Sequence, residues 1–218
     1  MTTEAVETPQ SESVEEVSAA ANAPTGMRAF LIIWIGQLVS MLGSGLTSFA
    51  LGVWIFEQTG KATPFALTIL FGSVPRLLLL PVAGSWADRK NRRWIMILSD
   101  SGSALLTLGV FMLLNFGTLQ AWHIYLLSAI GAVFAAFQEP AYTASIAMLV
   151  PKKELARANG MVQMGQALES IIIPVLAGIL FVAIGLRGIV LIDFVTFFAA
   201  IGALLVVRIP QPKLEKTG

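Results

Sequence analysis

Three features of this 218-residue chain predict an all-α membrane protein. Hydrophobic residues make up 56% of it and charged residues only 12%, a balance typical of integral membrane proteins rather than soluble domains. Six stretches reach the roughly 20 mostly apolar residues that a bilayer-spanning helix needs, and none shows the apolar/polar alternation of a β-barrel strand. Lys and Arg gather in every second gap between those stretches. The prediction is a bundle of six transmembrane helices.

The chain opens on a Ser/Thr/Ala/Pro-rich leader, residues 1–26, that carries Glu4, Glu7, Glu12, Glu15 and Glu16. Such a segment cannot bury a core and is predicted to be disordered. Its acidity separates it from a secretory signal, which begins with positive charge. The bundle occupies 27–208, with spans at Ala29–Phe56, Pro64–Trp86, Trp94–Phe116, Trp122–Val150, Gly160–Ile184 and Gly188–Val207. Residues 209–218 read as a cytoplasmic tail or the start of a central linker.

Placing the charges orients the bundle. Arg28, Arg89, Lys90, Arg92, Arg93, Lys152, Lys153, Arg157, Arg208, Lys213 and Lys216 fall on one side, and only Lys61 and Arg187 on the other. Basic loops stay in the cytoplasm, so both termini are expected there. Trp86 and Trp94 then flank one interface, and Trp54 and Trp122 mark the other.

Within the spans, each ionisable residue is a functional-site hypothesis, because hydrocarbon penalises charge by several kcal/mol. Counting about 1.5 Å of rise per residue, Arg76, Glu139 and Glu169 lie near mid-depth. Asp100 comes out nearer the cytoplasm and Asp193 nearer the exterior. Arg76 stays charged and needs a carboxylate or carbonyls beside it. A site with both charges can exchange a proton for a cationic substrate, or form a fixed ion pair that positions helices.

Neutral polar residues recur at helical spacing: Gln37, Ser40, Ser44, Thr47 and Ser48 on the first span, Asn159, Gln163, Gln166 and Ser170 on the fifth. Gln138, Glu139 and Tyr142 cluster on the fourth. These stripes suit either a shared water-filled pathway or hydrogen bonds between helices, and the third and sixth spans look plainer. Gly131/Ala135, Ala132/Ala136 and Ala199/Ala203 are small-residue pairs that permit close helix approach. Pro75, Pro81, Pro140 and Pro174 are expected to bend their helices. His123 has no partner motif.

Catalysis finds little support. With no cysteine, disulfides, thiolate metal sites and thiol nucleophiles are excluded. No Ser/His/Asp set, phosphate-cradling glycine loop or metal-ligand spacing is legible. Neither an enzyme nor a metal or cofactor is expected, and nucleic acid is not an expected partner.

One turn carries more information than any other segment. Gly84, three residues, Asp88-Arg89, two residues, then Arg92-Arg93 stand between two apolar spans. This pattern resembles the loop between helices two and three of major facilitator transporters. The resemblance covers essentially the whole chain after Met27: Trp54–Gly60, Pro75-Arg76-Leu77, Ala158-Asn159-Gly160, Leu191-Ile192-Asp193 and Val207–Pro210 occur in the order of the drug:proton antiporter branch. That branch includes macrolide-efflux and enterobactin-exporter-like proteins.

The resemblance implies a fold of two inverted three-helix repeats, which is half of a twelve-helix bundle. It further implies proton-coupled efflux of drugs or other small molecules by alternating access, in the plasma (bacterial inner) membrane. Gly84, Asp88, Arg89, Arg92 and Arg93 would then form the conformational switch. Arg76, Glu139, Glu169, Asp100, Asp193, Gln37, Gln163 and Gln166 would lie along the proton and substrate pathway. Expected partners are a small-molecule substrate, protons, lipid, and a second six-helix half, either a C-terminal half or a second copy of this chain. A truncated membrane protein that transports nothing is the rival reading.

Two departures from the family pattern stand out. Asn91 replaces the usual glycine of the turn, where its tolerance of left-handed backbone would preserve the loop. The antiporter motif of the fifth span keeps Gly160, Pro174 and Gly178, but has Glu169, Ile173 and Ala177 where glycine is expected.

Overall fold

The computed structural model describes residues 26–207 and 209, and they are almost wholly helical. The acidic leader through residue 25, Arg208 and the tail other than Ile209 lie outside the described residues. Five helices are long and apolar enough to cross a membrane. They are α1 (Gly26–Thr59), α2 (Ala62–Arg89), α3 (Arg92–Asn115), α4 (Ala121–Leu149) and, after a 3-10 turn at Lys152–Glu154, α5 (Leu155–Val206).

Six separate spans were expected, and α5 accounts for the difference in count. Its 52 residues would extend about 78 Å if straight, against a hydrocarbon core of about 30 Å. It is not straight. Gly185 has φ 68 and ψ 177, and the helix is interrupted there. That backbone region is open to glycine and strained for other residues.

Contacts with α1 give the directions of the two α5 segments. A Cβ built on Gly45 would lie 3.1 Å from Ile173 Cγ1, and one on Gly165 would lie 3.1 Å from Leu38 Cδ1. Residue numbers therefore rise together along α1 and the first segment. A Cβ on Gly36 would lie 2.7 Å from Ala203 Cβ, and one on Gly43 would lie 3.1 Å from Asp193 Cα. Here one number rises as the other falls. The second segment runs back along α1, antiparallel to the first, so the chain reverses at Gly185.

The close approach at Gly36 also explains the expected Ala199/Ala203 pair. Gly36 on α1 meets the Ala203 methyl and the Ala199 backbone carbonyl on α5, which leaves no room for a Cβ between the helices. Pro75, Pro81, Pro140 and Pro174 all lie inside helices rather than at their ends.

Two apolar layers form the core. Phe30, Ile33, Met96, Ala141, Ile146, Leu149, Ala158 and Leu204 pack at the end that carries the basic loops. Leu46, Ala50, Ile55, Val110, Ile124, Ile173, Ile189 and Val190 pack at the opposite end. Between these layers, on α1, α3 and α5, fall the buried polar residues Ser40, Thr47, Ser99, Asp100, Thr107 and Asp193. α2 contributes only Ala83 and Ala87 to the buried interior, and large apolar side chains such as Leu78, Ile171, Val175 and Val182 are exposed. In water such a surface would aggregate; in lipid or against a partner helix it is covered.

Candidate functional site

The charged turn is held by its two last arginines. The guanidinium of Arg92 donates to the Ala87 carbonyl at 3.4 Å and to the Ala144 carbonyl at 3.3 Å, and it also meets the Met148 sulfur. Arg93 donates to the carbonyls of Leu204 at 2.6 Å and Leu205 at 2.9 Å. Ala144 lies near the end of α4, and Leu204 and Leu205 lie in the last turn of α5. Carbonyls of a last helical turn lack intrahelical partners and carry the negative end of the helix dipole. Arg92 thus holds the last turn of α2 through Ala87 and Arg93 that of α5, while Arg92 also ties in α4 through Ala144, inside the end of that helix.

Asp88 is placed differently. Its side chain is 76% exposed and 3.9 Å from Arg92, whose own side chain is 11% exposed. Arg89 and Lys90 are also exposed, and Gly84 has open space where a Cβ would stand. Asn91 corrects an expectation. Its φ is −66, so no left-handed residue is needed, and its side chain instead accepts the Trp94 backbone N–H at 3.3 Å as the N-cap of α3. Asparagine is favoured there because its carbonyl satisfies a free first-turn donor.

The intramembrane candidates separate into three groups. In the first, Gln37 of α1 and Gln138 of α4 both donate side-chain amide hydrogens to Asp100 of α3, the former at 2.9 Å. Gln138 also donates to Gln37 Oε1 at 3.0 Å. Asp100 is 2% exposed. The second group surrounds Asp193, which accepts from Ser44 of α1 at 3.1 Å and Thr107 of α3 at 3.2 Å. Both groups lie inside the bundle, where hydrogen bonding offsets the cost of burying polar atoms.

The third group is on the surface. Arg76 of α2 and Glu139 of α4 form an ion pair at 2.6 Å, each side chain 45% exposed. Gln163 and Gln166 of α5 are exposed and Glu169 is half-buried. No ion pair joins Arg76 to Glu169 among the described residues.

The single pathway expected along spans one, four and five is therefore divided. Gln37 and Ser44 turn inward, toward carboxylates on α3 and on the second segment of α5, the spans that looked plainer. Sequence reasoning passed over Thr107. The available signal was its position seven residues after Asp100, two helical turns along one face. His123 does have a partner: its Nδ1 accepts the Gln120 backbone N–H at 3.1 Å in a capping box at the start of α4.

Residues 33–218 match the family model for the Major Facilitator Superfamily. The chain belongs to that superfamily. It is thereby an integral membrane protein of a transporter family. It is 30% identical over 187 residues to macrolide efflux protein A of Streptococcus pyogenes, an alignment covering 84% of this chain and 45% of that protein. An enterobactin exporter from Salmonella typhi is 28% identical, with the same two coverages. This member of the superfamily thus spans about half the length of those relatives.

A solved structure, a bacterial homologue of the iron transporter ferroportin in an outward-facing state, superimposes with a TM-score of 0.61. It is 20% identical and covers 80% of this chain and 48% of that one. At that identity the likeness speaks for the major facilitator fold alone.

Proposed function

We propose that this chain is one half of a proton-coupled exporter of drugs or other small molecules, working by alternating access. Counting the reversal at Gly185, its helices make six crossings as two inverted three-helix repeats, with both termini cytoplasmic. A second six-helix half, from a C-terminal segment or another copy, closes the transport pathway. Efflux relatives covering most of this chain support the direction of transport.

The observation that carries this reading is the half-exposed Arg76–Glu139 pair. It sits on α2 and α4, within apolar helices, with Gln166 and Glu169 on a further helix. Charges on such a surface are costly against lipid and are normal where they line a watery cavity. In that setting Glu139 and Glu169 carry the coupling proton. Asp88 contributes to the switch, exposed at the helix end where a closing half would meet it.

Transport in vesicles tests this directly. Glu139→Gln in the intact transporter should abolish efflux driven by a pH gradient while energy-independent substrate exchange continues. Wild-type pH-driven efflux in Glu139→Gln and also in Glu169→Gln would overturn the assignment.

A further inference from the structure

The end of the bundle opposite the basic turn holds a cavity of about 420 Å³. It opens where the chain reverses at Gly185, beside the loop that follows the end of α3 at Asn115. Gly117 and Gly185 both line it, and a Cβ built on either would meet nothing within 4 Å. Trp54 of α1, Leu119 and Phe181 supply apolar walls. Ile184 of the lining is 45% exposed, and Val182, next in the chain to Phe181, is 88% exposed.

One charge enters this apolar setting. Arg187 lines the cavity and is exposed. Its guanidinium donates once, from Nη2 to the Leu114 carbonyl at 3.1 Å, which leaves most of its donors free. The ion pairs among the described residues, Arg76–Glu139 and Arg92–Asp88, give it no carboxylate. No acidic side chain lines the cavity.

We infer that this cavity takes the headgroup of an anionic phospholipid, with Arg187 on the phosphate and acyl chains along the apolar mouth. A phosphate matches the planar fork of a guanidinium, which offers paired donors. Trp54 marks headgroup depth, because indoles gather at the membrane–water boundary. The exposed side chains of Val182 and Ile184 meet acyl chains at that depth. With no acid in the lining, the ammonium of a choline or ethanolamine headgroup finds no partner, so net negative charge is favoured. A free phosphate would satisfy Arg187 and leave the apolar walls uncovered.

This inference goes beyond the transport reading and does not depend on it. It is read as binding, so its failure would leave the Arg76–Glu139 assignment untouched. The measurement is native mass spectrometry of the purified full chain in detergent, titrated with phosphatidylglycerol or phosphatidylcholine of matched acyl chains. Each variant is checked for monodispersity and melting.

Wild type should retain one phosphatidylglycerol saturably, about tenfold more tightly than phosphatidylcholine. Arg187→Gln should lose that preference. Lys61→Gln, a charge change at the same end but outside the lining, should keep it. Because Arg187 also holds the end of α3 through Leu114, a second variant spares the guanidinium. Ile184→Trp fills the cavity from a side chain that is already exposed, and should weaken phosphatidylglycerol binding about tenfold. Equal retention of the two lipids by wild type, an unchanged preference in Arg187→Gln, its loss in Lys61→Gln, or wild-type affinity in Ile184→Trp would overturn the site. Displacement of the lipid by equimolar glycerol 3-phosphate would overturn a phospholipid as its occupant.

Discussion

At the scale of single residues, the signature turn separates into side chains that hold and a side chain left free. Arg92 and Arg93 are occupied with carbonyls of α4 and α5, so they cannot also reach a ligand at mid-depth. Asp88 is mostly exposed. Replacing Arg93 by Met removes two charge-assisted bonds and a helix-end interaction, which should destabilise the fold by roughly 1–3 kcal/mol. The readout is a lower melting temperature in detergent, with Arg93→Lys intermediate because it keeps the charge and loses the planar fork. An unchanged melting temperature in Arg93→Met would remove the clamp from this account. The sequence made the arginines visible but not their partners, because carbonyl acceptors belong to the backbone and leave no mark in residue type.

At the scale of elements, hydropathy marked the long apolar helices of the described residues because apolar length is what the bilayer selects. It could not separate the face toward lipid from the face toward protein, since both are apolar. The same limit hid the interior groups. Asp100 and Asp193 were legible as ionisable residues in apolar surroundings, but Gln138, Ser44 and Thr107 came to them only through packing. The sequence divided α5 into two spans, whereas the structure has one helix of 52 residues interrupted at Gly185. Gly185→Ala forces a side chain into a φ of 68, a strain of roughly 1–3 kcal/mol. It should lower the melting temperature and raise protease sensitivity between Phe181 and Gly188. Wild-type resistance and melting would contradict a reversal that depends on glycine.

At the scale of the whole molecule, the surface has two kinds of exposed face. One is apolar and includes Leu105, 67% exposed on α3. The other carries Arg76, Glu139, Gln163 and Gln166 across α2, α4 and α5. The proposed transport pathway requires the second face to line water and the first to meet lipid. This chain has no cysteine, so single cysteines in it can report on each face once any cysteine of the second half has been replaced. The direct measurement is labelling of Gln166→Cys and Leu105→Cys by a hydrophilic, membrane-impermeant maleimide, in right-side-out and inside-out vesicles holding the intact transporter. Gln166→Cys should react from one or both sides and be slowed by transported substrate, while Leu105→Cys should stay unlabelled. Equal labelling of the two positions, or none at Gln166→Cys from either side, would contradict it.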